Sequence, residues 1–275
     1  MPPMPLPDLA PILRLHAVGD WPPGRLITAR TPSTWHAPPD VEEHVDRAWA
    51  ESTSRPDVNL FDGPMCRLES WDAAPDRLLL ILSNTTYKRF LGTNLTRPDF
   101  ADVHGRAVLA NPVGVSPALV TADEYLMMGR RNAAVAYYPE RIHPFAGALD
   151  PGDADPFAAV RRELREELGL ADADVPDVRC TGIAEDLSIR QPELIFLART
   201  SRTRAQIESA LDAAEHRGTW SAPATPDGVA ATLRTRDESF TPVAVASLLL
   251  YARLAFGDAW FTQHASAAGA AGEEG

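Results

Sequence analysis

Residues 147–170 read GALDPGDADPFAAVRRELREELGL. The stretch specifies a helix together with both of its ends. Asp155 can cap it, Pro156 suits its first position, and Gly169 can terminate it. Phe157, Val160, Leu164 and Leu168 form an apolar stripe at helical spacing. Beside that stripe Glu163, Glu166 and Glu167 stand at i, i+3 and i+4, which at ~100° per residue brings them within one third of the circumference. The gathering is locally unfavourable. Glu163 and Glu167 repel by roughly 0.2–0.5 kcal/mol, and Glu166 and Glu167 lie near the C-terminal end, where the helix dipole disfavours anions. Arg162, four residues before Glu166, offsets part of this. Taken alone, an acidic helical face is more often a solvated surface. Where local rules are broken on an otherwise well-built helix, a site is the alternative, and clustered carboxylates suit a hard divalent cation such as Mg²⁺ or Mn²⁺.

The company this helix keeps changes the balance. Gly147, then Gly152-Asp153, then Arg162-Glu163-Leu164-Arg165-Glu166-Glu167-Leu168-Gly169-Leu170 resembles the signature of the Nudix pyrophosphohydrolases: glycine, five residues, glutamate, seven residues, then R-E-U-x-E-E-x-G-U, with U aliphatic. The last nine positions match. Asp153 stands where the pattern has glutamate, with one extra residue before Arg162, and Ala146 replaces the first of the usual paired glycines. These departures bear on the loop and leave the helix intact. The resemblance implies an α/β (α+β) chain with a mixed β-sheet sandwiched between helices. It also implies Mg²⁺ (or Mn²⁺) held by Glu163, Glu166, Glu167 and the Gly147 carbonyl, with Arg162 orienting the glutamates. Glu193 and Asp153 are candidates for a general base or an extra ligand, and Glu185 and Asp186 are further candidates for the base; for Glu193 an exposed strand-end carboxylate is the simpler reading.

At 275 residues the chain can bury a substantial core in one or two domains. A net charge of −12 argues against general affinity for nucleic acid or an anionic membrane, so an anionic substrate would need a local cation and local arginines. Lys88 is the only lysine. Cys66 and Cys180 form no CxxC and are expected as buried free thiols in a reducing, cytoplasmic setting. MPPMPLPDLAP lacks the basic start and apolar core of a secretory leader, and no 18-residue apolar run marks a membrane span. The histidines, His143 and His216 among them, are scattered without metal spacing, and no zinc pattern or nucleophile elbow is present.

Along the chain, residues 1–8 and the tail 265–275 read as disordered. Residues 1–106 read as a small α/β domain: a strand at Ile12–Val18 with Arg25–Ala29 beside it, a helix at Val41–Ser52, strands at Met65–Trp71 and Arg77–Leu82, and a helical turn at Tyr87–Leu91. Residues 107–264 hold the signature. Its further elements are a β-rich stretch Ala118–Met128, strands Val178–Ala184 and Leu194–Ala198, a helix Arg204–His216, a loop Trp220–Asp237, and a helix Thr241–Phe256.

The likeness extends beyond the signature. Phe61-Asp62-Gly63 with Arg67, the run Thr86-Tyr87-Lys88-Arg89-Phe90-Leu91-Gly92-Thr93-Asn94, and Asn111-Pro112-Val113-Gly114-Val115 with Arg130-Arg131 are similar to the UDP-glucose pyrophosphatase branch of the Nudix family and its plant relatives. In that branch the run is approximately T-x-Y-R-x-F-x-G-T-N, so Lys88 stands where arginine is usual. The resemblance implies a nucleoside diphosphate sugar, UDP-glucose or UDP-galactose first and GDP-mannose next, split into a nucleoside monophosphate and a sugar 1-phosphate. Tyr87, Lys88, Arg89, Asn94, Arg130 and Arg131 are then the expected substrate contacts, set against core packing for Tyr87 and a structural ion pair for Arg131. Competing readings are hydrolysis of another diphosphate (ADP-ribose, NADH or a coenzyme A derivative) and a non-catalytic module that binds a nucleotide sugar.

Overall fold

The structure, a computed structural model, describes residues 6–270 apart from 34, 56–59, 134, 136, 212–215 and 238. In chain order its strands and helices are β1 (Leu13–Trp21), β2 (Leu26–Arg30), α1 (Pro39–Thr53), β3 (Pro64–Ala74), β4 (Arg77–Thr86), α2 (Tyr87–Phe90), α3 (Phe100–His104), β5 (Gly114–Val120), β6 (Tyr125–Arg131), β7 (Ile142–His143), β8 (Gly147–Ala148), α4 (Pro156–Leu168), β9 (Asp177–Asp186), β10 (Gln191–Arg199), α5 (Arg204–Glu208), β11 (His216–Pro223), α6 (Pro226–Thr235), α7 (Pro242–Phe256) and α8 (Asp258–Ala270).

Two sheets result. The larger is mixed, with order β1-β9-β10-β5-β6-β11, β7 beside β6 and β8 beside β5. Among the described residues its one parallel strand pair is β10 with β5, and both strands are buried along almost their whole length. That is the pattern expected of a strand covered on both faces. One face carries α4: Phe157, Val160, Leu164 and Leu168 pack with Val115, Leu119, Ile183 and Phe196. The other carries α7, whose Val245, Leu248, Leu249 and Ala252 pack with Ala118, Val120, Leu126 and Ile195. The expected sandwich of a mixed sheet between helices is therefore what the chain forms. The smaller sheet, β2-β4-β3, pairs β2 parallel and β3 antiparallel with β4.

Several expectations need correction. Arg25–Ala29 does not pair with the first strand; β2 pairs with β4, and β1 joins the larger sheet against β9. The first strand thus crosses the division expected at residue 106. The β-rich stretch 118–128 is two strands, β5 and β6, joined by a turn in which Thr121 takes the Tyr125 N–H. The helix expected over 204–216 stops at Glu208, and His216 instead opens a strand on β6; residues 212–215 of that expectation lie outside those described. The loop expected over 220–237 contains the end of β11 and all of α6, which Thr225 caps and Pro226 starts. Helix α8 continues through Ala270 in the tail expected to be disordered. Residues 1–5 and 271–275 lie outside those described. No described helix is long and apolar enough to cross a membrane.

Candidate active site

The site is built where the 147–170 stretch meets the sheet. β8 pairs with β5, Gly147 opposite Val115. Leu149 then ties three segments together: its N–H donates to Val113 O and its carbonyl accepts from Cys66 N–H, both at 2.9 Å. The small sheet is thereby stitched to the loop that precedes α4. Arg30 adds to the stitch, lying 3.3 Å from Cys66 Sγ and 3.4 Å from Pro151 O. The helix is capped as its residues dictate. Asp155 Oδ1 accepts from Ala158 N–H at 2.8 Å, and Gly169 takes the left-handed conformation at φ 65°.

Arg162 organises the departure from the family loop. Its Nε and Nη2 donate to the two Asp153 carboxylate oxygens, each at 3.1 Å, Nη2 also reaches Ala148 O at 2.9 Å, and Nη1 donates to Glu163 Oε1 at 2.6 Å. Asp153 in turn accepts from Asp150 N–H at 2.8 Å and closes the turn. The extra residue and the shorter acid therefore still deliver a carboxylate to the guanidinium. Glu166 is the outlying member, 3.4 Å from Arg162 Nη1.

The three glutamates do not share one environment. The Glu163 and Glu167 side chains are 11% and 3% exposed, that of Glu166 60%. Glu163 lies directly against Gly147: a Cβ there would come within 2.1 Å of Glu163 Oε1. Burial, opposed by Arg162 and reinforced by the Glu167 charge, pushes the Glu163 carboxyl up to about 7. Glu167 meets His216, with Nε2 2.7 Å from Oε2.

A second acidic group lies across β5. Glu193 is fully enclosed, receives Ser116 Oγ–H at 3.0 Å, and packs so closely on Gly114 that a Cβ there would come within 2.2 Å of its carboxylate. Burial pushes it up to about 8, with the Asp186 charge adding and Arg131 opposing. The expected exposed strand end is thus a buried carboxyl. Arg131 stacks over Tyr137 at 5.0 Å, and its Nε has no hydrogen-bond partner among the described residues. Asp186 accepts from Tyr138 OH at 2.6 Å. Glu185 is committed elsewhere, to His16 at 2.7 Å and to Arg106. Those partners overcome burial and hold it at about 2, too weak a base for the role considered for it.

The expected substrate contacts separate. Lys88 and Arg89 line a cavity of about 280 Å³ with Trp35, Thr86 and three acids, Glu42, Asp46 and Asp62. There Lys88 pairs with Asp46 at 2.6 Å and Arg89 lies 4.3 Å over the Trp35 ring. Tyr87 packs between Trp49 and Phe90. Asn94 is a buried brace: its amide donates to the Ile189 and Arg190 carbonyls and accepts from Asn111 N–H, so it ties backbone and does not face a ligand. Arg130 lies 3.4 Å from Glu140 O. A larger cavity of about 610 Å³ lies beside β1 and the end of α7, lined by His16, Trp21, Arg253 and Asp258 among others, away from the α4 carboxylates.

A cation fits the donor chemistry at α4. The Glu167 charge raises the proton affinity of the buried Glu163 carboxyl, which lies against a glycine backbone, and the donors on α4 are oxygen. The side chains are not preassembled: among the described residues no three His, Cys, Asp or Glu are grouped to hold a metal. His216, Ser116 and Tyr137 were not legible as site residues. They carry no spacing signal and reach the site only through strand pairing and loop packing.

A NUDIX domain model matches residues 111–243. The chain is 32% identical over 205 residues to the human uridine diphosphate glucose pyrophosphatase NUDT22, covering 62% of each chain. To the Bos taurus protein of that name it is 30% identical over 203 residues, covering 62% of this chain and 69% of the relative. The chain thus spans less than two thirds of the human relative's length. Among solved structures, DR0079 from Deinococcus radiodurans aligns at 18% identity and a TM-score of 0.39, over 50% of this chain and 80% of that one.

Proposed function

Because the chain belongs to the Nudix family, we propose that it is a metal-dependent pyrophosphohydrolase that cleaves a nucleoside diphosphate sugar, UDP-glucose or UDP-galactose first, to a nucleoside monophosphate and a sugar 1-phosphate. The observation that carries the reading is the pair of buried carboxylates, Glu163 and Glu167, gathered on α4 with Glu163 against Gly147. The substrate class is supported by the names of the relatives.

In this reading Glu163, Glu166, Glu167 and the Gly147 carbonyl hold Mg²⁺ or Mn²⁺. When bound, the metal supplies charge neutralisation for the diphosphate and Lewis acidity toward water. Arg162 fixes the glutamates from behind through its bonds to Asp153, Glu163 and Ala148 and does not touch substrate. Arg131, whose buried Nε lacks a partner among the described residues, donates to a phosphate oxygen. Glu193, near 8, titrates close to neutral pH and is suited to move a proton at the site. Lys88 and Arg89, beside Trp35, face the rest of the substrate from their own cavity. Hydrolysis breaks one P–O bond of the diphosphate, and water supplies the new P–O bond and the proton for the leaving phosphate.

The test incubates the purified protein with Mg²⁺ and UDP-glucose, UDP-galactose, GDP-mannose, ADP-ribose, NADH or coenzyme A, beside a Glu166→Gln, Glu167→Gln double variant. The expected result is metal-dependent release of UMP and a hexose 1-phosphate, lost in the variant. Cleavage of ADP-ribose, NADH or coenzyme A alone would overturn the substrate assignment, and tight binding without turnover would favour a nucleotide-sugar-binding module.

A further inference from the structure

We propose that His216 is a positioning residue for Glu167, fixing that carboxylate in the orientation a divalent cation requires; the inference rests on the metal-dependent reading above. His216 opens β11 and reaches from the sheet to α4. Its Nε2 lies 2.7 Å from Glu167 Oε2, and both side chains are 3% exposed. The fold makes room for this ring. A Cβ at Gly129 would come within 2.3 Å of His216 Nδ1, so only glycine at that position of β6 leaves the imidazole its place. Phe145, two residues before Gly147, meets the ring edge-on at 5.3 Å.

The physical case is directional. A glutamate carries three side-chain torsions, the last of them broad, so a carboxylate anchored only by its helix leaves its oxygens unaimed. Donation from Nε2–H to Oε2 fixes the plane of the carboxylate. The donor itself is fixed by Phe145 and the Gly129 backbone. Hydrogen-bond partners that aim a metal ligand typically carry 10–100-fold of metal affinity or activity. The pair connects β11 to α4 across 49 residues of sequence. The strand whose pairing with β6 displaced the expected helix is therefore the one that brings the aiming group to the site.

Two variants and one probe test the proposal. His216→Phe keeps an aromatic volume and removes the donor; His216→Gln keeps a side-chain N–H. Mn²⁺ affinity is read by electron paramagnetic resonance of the free ion, alongside kcat and KM for UDP-glucose at saturating Mg²⁺ and the metal-free melting temperature. The expected result is Mn²⁺ binding weakened about 10–100-fold in His216→Phe, with kcat lowered more than KM is raised and most of the affinity restored in His216→Gln. Wild-type Mn²⁺ affinity in a folded His216→Phe protein would overturn the proposal, whatever its melting temperature. Should His216→Phe not fold, Gly129→Ala, whose methyl displaces the ring without removing it, is measured in its place; unchanged Mn²⁺ affinity there overturns the proposal equally. A wild-type protein that neither binds Mn²⁺ nor cleaves any nucleotide sugar overturns the functional reading itself. That outcome is distinct from a wild type that does both while its position-216 variants match it.

Discussion

Gly147 is the residue at which backbone and chemistry are closest. Its carbonyl belongs to β8, and its missing side chain leaves the space that the Glu163 carboxylate occupies. A methyl there would lie 2.1 Å from Glu163 Oε1, so the carboxylate must move. A misplacement of about 1 Å at a reacting centre costs on the order of 10²-fold. Gly147→Ala is therefore expected to lower kcat by about that factor while the far-ultraviolet circular dichroism stays native; full activity in the variant would separate Glu163 from the site. At this scale the sequence was most informative about acids and least about their partners. Glu163, Glu166, Glu167 and Arg162 stand on one helix, where periodicity alone relates them. His216 and Ser116 lie on other strands, where only tertiary pairing relates them to a carboxylate. Asn94 shows the converse: a residue in a suggestive run whose amide is used up on the Ile189 and Arg190 carbonyls.

Helix α4 was legible end to end because every local rule agrees on it: cap, first-position proline, apolar stripe and terminating glycine. Its ends can be tested separately. Asp155→Ala removes the bond to Ala158 N–H and should cost about 1 kcal/mol. Gly169→Ala forces a side chain into φ 65° and should cost about 1 kcal/mol as well. Urea titration of the metal-free protein would check both, and two midpoints equal to wild type would show that the helix ends contribute nothing to global stability. β11 was illegible for the opposite reason. Ile207 and Leu211 repeat at helical spacing, and both pack on the α4 side of the sheet, so the pattern suggests a helix running on to His216. Pairing with β6 claims the chain from His216 onward instead. The punctuation of Pro223, Pro226 and Gly228 reads as loop, yet Pro226 starts α6 and the Gly228 N–H donates to its cap, Thr225.

Across the whole molecule, charge ties together segments that the sequence keeps far apart. Glu185 at the end of β9 meets His16 of β1 and Arg106 from the segment that follows α3. It is 2% exposed. Burial alone would raise its carboxyl; the bonds from His16 and Arg106 reverse this and hold it at about 2, against an ordinary 4.5. A carboxyl with a depressed folded-state pKa stabilises the fold above its unfolded value, and that contribution disappears as pH falls from about 4.5 toward 2. The shift corresponds to on the order of 3 kcal/mol. Glu193 and Glu163 act with the opposite sign. Their raised values, about 8 and about 7, mean that the folded chain holds protons the unfolded chain would release, so stability declines as pH rises from the ordinary carboxylate range through those values. In the metal-free protein Glu185 therefore contributes to an acid limb below about pH 4.5, added to that of the buried His143, whose imidazole is held well below 6.5, and the two site carboxyls contribute to an alkaline limb. Urea midpoints between pH 2.5 and 8.5 would resolve both limbs. Glu185→Gln should reduce the loss below about pH 4.5 and leave the alkaline limb unchanged. Glu193→Gln should gain on wild type as pH rises toward 8, because the amide has no charge to bury. A Glu193→Gln curve parallel to wild type throughout would mean that Glu193 is ionised in the fold, and would remove the basis for its role in proton transfer.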